Sequence, residues 1–191
     1  MEALFISTGV VALAEIGDKT QLLAFILAAR FKKPLPIIAG ILCATLINHG
    51  LAGVLGSWIT SVVSPEVMRW ALGLSFIGMA IWTMIPDRIE EEETQVAKHL
   101  GVFGATFITF FLAEMGDKTQ IATVALAAHY GAPLMVVIGT TLGMLAADVP
   151  AVFVGNKFAT KIPMKLVHSI AAGIFALMGL LTLLQVEKLF Q

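Results

Sequence analysis

The sequence has few charged residues and a single cysteine, and both scarcities exclude classes of protein. Charged side chains make up 13% of the 191 residues and hydrophobic ones 58%, whereas a typical soluble domain carries about 25% charged residues. A soluble core of this size cannot bury so many apolar side chains, and apolar runs of about 20 residues predict membrane spans. The lone Cys43 excludes an internal disulfide and lacks the companions of a zinc or iron–sulfur site. The composition therefore predicts an all-α integral membrane protein.

An excess of positive charge and an N-terminal signal are missing as well. The net charge of −1 gives no basic surface for nucleic acid, so we expect the lipid bilayer and no nucleic acid as a partner. The N-terminus lacks the basic segment and the small-residue cleavage site of a secretory signal. The first apolar segment is therefore predicted to remain as a membrane span.

Six membrane spans are predicted, separated by helix-breaking pairs such as Lys33-Pro34 and Ala132-Pro133. Their approximate limits are residues 3–29, 35–58, 67–85, 102–128, 134–154 and 166–184. The polar segment 87–99 is predicted to be an acidic linker between a first repeat, 1–86, and a second, 100–191. Its run of four glutamates, 90–93, is a solvated tether or, alternatively, an acidic mouth that concentrates cations.

One heptapeptide occurs in both repeats. Residues 15–21 read Glu-Ile-Gly-Asp-Lys-Thr-Gln, and residues 114–120 repeat them with Met in place of Ile, at an offset of 114 − 15 = 99 residues. Other residues recur at the same offset, which indicates internal duplication: Pro34 with Pro133, Gly40 with Gly139, and Gly56 with Gly155. Because three spans are an odd number, the second repeat is predicted to enter the membrane inverted. Inverted repeats are typical of secondary transporters, whose binding sites lie near the bilayer midplane.

The basic residues of the loops predict the orientation. Eight lie on one side of the predicted spans and two, Arg69 and Lys188, on the other. Since positively charged loops stay in the cytoplasm, the linker 87–99 is predicted to be cytoplasmic and both termini outside. The eight are Arg30, Lys32, Lys33, Arg88, Lys98, Lys157, Lys161 and Lys165.

The carboxylates of the repeated motif are the candidate metal ligands. Burying a charge in a membrane costs several kcal/mol, from roughly 3 to over 10, so a purely structural role for four of them is a weak alternative. On a continuous helix the Glu and Asp of each motif share one face, while Gly17 and Gly116 permit close helix approach or local unwinding. Oxygen ligands favour Mg²⁺, Ca²⁺ or Mn²⁺, and clustered carboxylates exchange protons for metal. The predicted ligands are Glu15, Asp18, Glu114 and Asp117, completed by Gln21, Gln120, Thr20 and Thr119.

Two lysines of the motifs and three further polar residues in the predicted spans are also assigned roles. Lys19 and Lys118 each follow a motif glutamate by four residues, the spacing of an intrahelical ion pair. They either compensate charge or act as a gate that releases a carboxylate to the metal. Asp148 is predicted to be a fifth carboxylate or a proton carrier, Asn48 a ligand or an interhelical hydrogen bond, and His49 a packing residue. At offset 99, His49 aligns with Asp148, but one inserted residue would align Asn48 with it instead.

The doubled motif, one copy in each three-span half around an acidic loop, resembles the Gdt-type family of divalent cation/proton exchangers. Within that family, the chain's size is most similar to the bacterial MneA-type manganese exporters. The resemblance implies export of Mn²⁺, and in some members Ca²⁺, in exchange for H⁺ or Na⁺. It also implies that the protein lies in the bacterial inner membrane. It carries the four motif acids over to Glu15, Asp18, Glu114 and Asp117. The metal is then the transported substrate and no cofactor is expected.

Three other functions are weighed against this one. A cation channel would move the ion without proton coupling, and a cationic amino-acid exporter would bind an ammonium group with the same carboxylates. An intramembrane aspartyl protease would use Asp18 and Asp117 as its dyad but leaves the paired glutamates and lysines unexplained. We therefore expect a transporter and not an enzyme. Homo-oligomerisation and the choice between Mn²⁺ and Ca²⁺ stay open at this point.

Overall fold

The computed structural model describes residues 1–85, 100–154 and 164–184. Within these ranges all regular structure is helical, which confirms the all-α prediction. The acidic linker, predicted for 87–99, lies outside the described residues. The helices are α1 Glu2–Glu15, α2 Lys19–Phe31, α3 Pro34–Val62, α4 Pro65–Thr83, α5 Val102–Glu114, α6 Lys118–Tyr130, α7 Pro133–Val154 and α8 Met164–Leu184.

The first and fourth predicted spans are each two helices, which corrects the prediction of six continuous ones. The breaks fall at the repeated motif, between α1 and α2 and between α5 and α6. Gly17 has φ 85° and Gly116 has φ 78°, a left-handed conformation that glycine adopts without a steric cost and that ends a helix. Of the two roles predicted for these glycines, close helix approach or local unwinding, the structure shows the unwinding.

Two helices are long and apolar enough to cross a membrane, judged by length and composition. They are α3 and the stretch Pro133–Phe153 of α7, and Val102–Glu114 and Ser169–Leu184 are shorter apolar helices. Large apolar side chains face outwards along α3, including Leu51 at 61% exposure and Trp58 at 59%. A bilayer accommodates such surfaces, whereas water does not. The described residues thus contain two clear apolar spans, consistent with a membrane protein.

The two long helices α3 and α7 form the centre of the bundle. Helix α3 packs against α5, α6 and α7, while α7 also packs against α1 and α2. Helices α4 and α8 pack together at the periphery. The motif breaks therefore lie beside the central helices, and the acidic side chains of both motifs are buried there.

Close contacts in the two halves correspond at the 99-residue offset. A Cβ placed on Gly40 would lie 2.7 Å from the Cβ of Thr106, and one placed on Gly139 would lie 3.0 Å from the Cβ of Ser7. Both members of the first pair map onto the second by adding or subtracting 99. The absence of a side chain at these glycines lets α3 approach α5, and α7 approach α1.

Candidate metal site at the two helix breaks

The two breaks have the same backbone design. In the first, the Asp18 N–H donates to the Glu15 carbonyl at 3.0 Å, and in the second Asp117 donates to Glu114 at 3.2 Å. Each motif therefore ends one helix at its glutamate and starts the next after its aspartate, which stands at the N-cap. The Glu and Asp of one motif lie on different helices, so the prediction that they share one helix face is wrong.

The motif glutamines brace these breaks. The side-chain oxygen of Gln21 accepts from the Gly17 N–H at 2.9 Å, and that of Gln120 accepts from the Gly116 N–H at 2.8 Å. These bonds satisfy backbone donors that the interrupted helices leave without partners. The predicted ligand oxygens of both glutamines are thus already engaged by the backbone.

Three of the four motif carboxylates converge. One oxygen each from Glu15, Glu114 and Asp117 lies within 4.8 Å of the other two. The glutamates are 0% exposed and Asp117 is 5% exposed. The group draws on both halves of the chain, because Glu15 comes from the first and the other two residues come from the second.

Each converging carboxylate leaves one oxygen available. Thr20 donates its hydroxyl hydrogen to Oε2 of Glu15 at 2.7 Å, and Thr119 donates to Oε2 of Glu114 at 2.9 Å. Among the residues that the structure describes, Oε1 of both glutamates and Oδ2 of Asp117 accept no hydrogen bond. Buried polar atoms are normally satisfied, so three converging carboxylates that each keep one unsatisfied oxygen suit a bound cation.

The motif lysines pair across the two halves. Nζ of Lys19 lies 3.4 Å from Oδ1 of Asp117, and Nζ of Lys118 lies 3.1 Å from Oδ2 of Asp18. The predicted intrahelical pairs with the glutamates four residues earlier are therefore wrong. The helix break removes the regular spacing on which that prediction depended, and it points each lysine towards the other motif.

Asn48 and Gln21 form hydrogen bonds between the central helices and the helices that meet at the breaks. Nδ2 of Asn48 donates to the Phe111 carbonyl at 3.0 Å, and Nε2 of Gln21 donates to the Ala147 carbonyl at 3.0 Å. Nε2 of Gln120 approaches Oδ1 of Asn48 at 3.5 Å. The two glutamines thus reach positions 48 and 147, which differ by 99, so the contacts follow the ungapped register.

In that register His49 corresponds to Asp148. Both are 0% exposed, and neither ring nitrogen of His49 nor either oxygen of Asp148 has a hydrogen-bond partner among the described residues. Asp148 is outside the converging group of three carboxylates. It is a further buried acid on α7, next to the residue whose carbonyl accepts from Gln21.

Sequence reasoning did not find the backbone carbonyls of Phe111 and Ala147 as partners of the site. Every residue has a carbonyl, so no residue type marks these two. The crossed lysine pairs were missed as well, although the paired duplication carried a signal for them. Two copies that meet at one axis present each lysine to the other copy's aspartate as readily as to its own glutamate.

The chain matches the family described as "Divalent cation/proton antiporter GDT1" over residues 3–91 and 102–189. The chain belongs to this family. The two matched segments begin 102 − 3 = 99 residues apart, the offset at which the motif recurs. The resemblance of the motif pair to the Gdt-type exchangers is confirmed.

Individual relatives agree with the family assignment. A Vibrio cholerae serotype O1 protein named "Putative manganese exporter" is 52% identical, over 95% of this chain and 90% of its own length. "GDT1-like protein 3" of Oryza sativa subsp. indica is 30% identical over 91% of this chain and 71% of its own. "GDT1-like protein 5" of Arabidopsis thaliana is 27% identical over 90% and 91%. No solved structure matches the chain.

Membership of an antiporter family makes the chain a cation transporter and not an enzyme. The hypothesis of an intramembrane aspartyl protease is therefore excluded. The geometry agrees, because both aspartates of the supposed dyad carry a lysine partner.

Proposed function

We propose that the chain is a secondary-active exporter that moves divalent metal out of the cytoplasm in exchange for protons. Mn²⁺ is the principal substrate and Ca²⁺ the second, with Na⁺ as the alternative coupling ion. In this proposal the chain forms six spans as two inverted repeats in a bacterial inner membrane. The first and fourth spans are the broken pairs α1–α2 and α5–α6.

The observation that carries the proposal is the convergence of Glu15, Glu114 and Asp117. Their oxygens lie within 4.8 Å of one another, and each residue keeps one oxygen without a hydrogen-bond partner among the described residues. Oxygen-only ligands suit hard divalent cations, and the thiolate or imidazole ligands typical of zinc and copper sites are absent from this group of three. The name of the Vibrio cholerae relative favours manganese.

The charges of the motifs support proton exchange. Four carboxylates and two lysines leave a formal charge of −2 when all are ionised. One divalent cation neutralises that charge, and so do two protons. Because an uncompensated buried charge is expensive, the site is stable with the metal or with protons and unstable with neither. We therefore expect two protons per metal ion, with Asp148 keeping its proton when the metal is bound.

The site lies between the two halves, which suits alternating access. A midplane site at the interface of inverted repeats opens to one side or the other when the halves rock. Helix breaks at the site place irregular backbone beside buried motif side chains, and a membrane protein tolerates such backbone where it is buried in protein. In the proposed orientation the cytoplasmic ends of α2 and α5 flank the inner entrance.

The test is Mn²⁺ flux into proteoliposomes of the full chain under an imposed pH gradient, with Ca²⁺ and Mg²⁺ alongside. We expect gradient-driven Mn²⁺ movement with opposing proton movement, a smaller Ca²⁺ flux, and a proton-to-metal ratio near two. Metal movement that ignores the pH gradient and responds to sodium would replace H⁺ by Na⁺ as the coupling ion. Metal movement at channel rates with no coupling ion, or no metal movement by folded protein, would refute the exchanger.

A further inference from the structure

The two lysine–aspartate pairs are crossed between the motifs but are not alike. Lys118 and Asp18 are 3.1 Å apart with side chains 2% and 0% exposed. Lys19 and Asp117 are 3.4 Å apart with side chains 17% and 4% exposed. The first pair is shorter and sealed from solvent, and the second is longer and partly open.

The two aspartates are engaged to different degrees. Asp18 accepts the Lys19 N–H on Oδ1 at 2.6 Å, which caps α2, and it pairs with Lys118 through Oδ2. Asp117 makes no side-chain cap on α6, and its Oδ2 accepts no hydrogen bond from the described residues. Oδ2 of Asp18 accepts no hydrogen bond from the described residues either, but it is ion-paired with Lys118. Oδ2 of Asp117 has neither kind of partner among the described residues, so Asp117 keeps it for the metal group, the proposed ligands Glu15, Glu114 and Asp117.

We propose that the two lysines are resident counter-cations that decide which aspartate joins the metal group. In the structure Lys118 withholds Asp18, and Asp117 joins Glu15 and Glu114. In the alternate state Lys19 withholds Asp117, and Asp18 joins the same two glutamates. The inference rests on the proposed function and assigns the lysines as positioning residues within it.

The symmetry of the contacts supports the exchange of roles. The two motifs have the same residues at every charged position, the same backbone turn and the same glutamine brace. An arrangement with the halves interchanged is therefore built from the same interactions. Two nearly equivalent packings of this kind form a two-state element.

Burial explains why a lysine suits this task. Lys118 is 2% exposed, and a buried ammonium group without an anion is strongly disfavoured. The Lys118 ammonium group therefore needs a carboxylate partner in each of the two states and cannot move into solvent. It consequently competes with the metal for a carboxylate ligand. The metal gains Asp18 only when Lys118 is compensated elsewhere, which couples ligand exchange to a rearrangement of both halves.

The test measures Mn²⁺ affinity of the purified full chain by titration calorimetry, together with exchange in proteoliposomes. We expect Lys118→Met to tighten Mn²⁺ binding at least about tenfold, or about 1.4 kcal/mol, because Asp18 is released to the site as a fourth carboxylate. The rate of Mn²⁺ exchange should fall at least about tenfold, because Asp18 cannot leave the metal to re-form its ion pair with residue 118. Lys118→Arg keeps the charge and should keep affinity within about threefold of wild type.

Lys19→Met is the matched control. Asp117 already belongs to the metal group, so the loss of Lys19 frees no further ligand. The change in Mn²⁺ affinity of Lys19→Met should therefore be several-fold smaller than that of Lys118→Met. The Asp18→Asn/Lys118→Met pair completes a double-mutant cycle. Tightening should disappear in that double variant, because there is no carboxylate left for the metal to gain.

Stability gives a second readout if Lys118→Met is poorly folded. The loss of the lysine leaves Asp18 without its counter-cation, and Mn²⁺ then supplies it, so the Mn²⁺-induced rise in Tm should exceed that of wild type. A purely structural lysine would lower Tm without enlarging this rise. Asp18→Asn adds an independent arm, because it releases Lys118 to compete for the other carboxylates and should weaken Mn²⁺ binding.

The outcomes separate the two proposals. Wild-type protein that neither binds nor exchanges Mn²⁺ refutes the proposed function. Wild-type protein that does both, with Lys118→Met binding Mn²⁺ no more tightly, refutes only the role of the lysines. Tightening that persists in the Asp18→Asn/Lys118→Met double variant also refutes it, because the effect would not pass through Asp18.

Discussion

The two motif copies differ by one residue in sequence and far more in their surroundings. In the first copy the aspartate caps its own helix and pairs with a sealed lysine. In the second copy the aspartate leaves the cap unmade and contributes to a group of three carboxylates. The loop of the second copy, at Met115 and Gly116, is also exposed, while Ile16 and Gly17 are half-buried.

This difference shows that ligands cannot be assigned from a motif alone. Identical residues at identical spacing place the aspartate inside the group of three carboxylates in one half and outside it in the other. A transporter with alternating access requires such inequality at any one moment, since one side of its site must be closed while the other opens. The predictions below test how far the two copies differ.

The largest expected effect is loss of exchange when a glutamate of the metal group is neutralised. Glu15→Gln and Glu114→Gln should each lower Mn²⁺ exchange in proteoliposomes at least about 100-fold, beyond the roughly 10–100-fold typical of outer-shell partners of a metal. The two copies should behave alike here, because both glutamates belong to the group. Glu2→Gln, at an exposed residue of α1, is the control and should exchange normally. Wild-type exchange by either folded variant would remove that glutamate from the mechanism.

Neutralising the aspartate should affect Mn²⁺ affinity differently in the two motif copies. Asp117→Asn removes a ligand, whereas Asp18→Asn removes the partner of Lys118, so Mn²⁺ affinity should fall about 30-fold further in the first variant than in the second, close to 2 kcal/mol. Titration calorimetry on the purified variants at one pH measures the difference. Equal losses would mean that the two aspartates serve the metal equally, either together or in interchangeable states, and that the difference between them in the structure does not change the binding free energy.

A packing prediction concerns one position at which the halves differ. Gly143 on α7 corresponds to Ala44 on α3, and a Cβ on Gly143 would lie 2.6 Å from the Thr8 carbonyl oxygen and 2.9 Å from the Ala12 nitrogen. Gly143→Ala should therefore push α1 away and cost about 1.5 kcal/mol, as overpacking typically does. Thermal unfolding in detergent measures the loss. Gly50→Ala, with nothing within 4 Å of its Cβ, is the control and should not destabilise. A neutral Gly143→Ala would show that α1 is loosely held.

The smallest expected effect tests the helix break itself. A Cβ at Gly116 would meet nothing within 4 Å, so Gly116→Ala isolates the backbone cost of its φ of 78°, about 1 kcal/mol. Gly78→Ala, in the interior of α4 with equal space, should instead stabilise by about 0.5–1 kcal/mol. The two changes should shift Tm in opposite directions. A stabilised Gly116→Ala would mean that the second break straightens readily, unlike the geometry described.

The sequence was sufficient for the class of protein and for the residues that meet at its centre. Its apolar runs and doubled motif predicted a helical membrane protein in which Glu15, Asp18, Glu114 and Asp117 meet. Three of the four converge in the structure, and Asp18 is outside that group. The exact offset of the duplication was informative because two copies related by symmetry converge at their common axis. Glycine between two acids also indicated where the helices unwind.

The sequence was insufficient wherever a long-range contact decides between equivalent residues. Asp18 and Asp117 have the same local sequence, so no local propensity distinguishes a withheld carboxylate from a ligand. The lysines were assigned to the wrong carboxylates because the spacing argument assumed a continuous helix through the motif. Once glycine turns the chain, the partner is set by tertiary packing between the halves.

The helix breaks have a further electrostatic consequence. Each helix carries a partial charge of about −0.5 at its C-terminal end and about +0.5 at its N-terminal end. Helices α1 and α5 end at the metal group and α2 and α6 begin there, so two fields of opposite sign meet in the middle of the protein. In the proposed function the C-terminal ends attract the incoming cation, and the N-terminal ends stabilise the aspartates at their N-cap positions. Because these fields come from the backbone, they do not depend on a bound ion. In the proposed transport cycle the site therefore keeps an orienting field between the release of one ion and the arrival of the next.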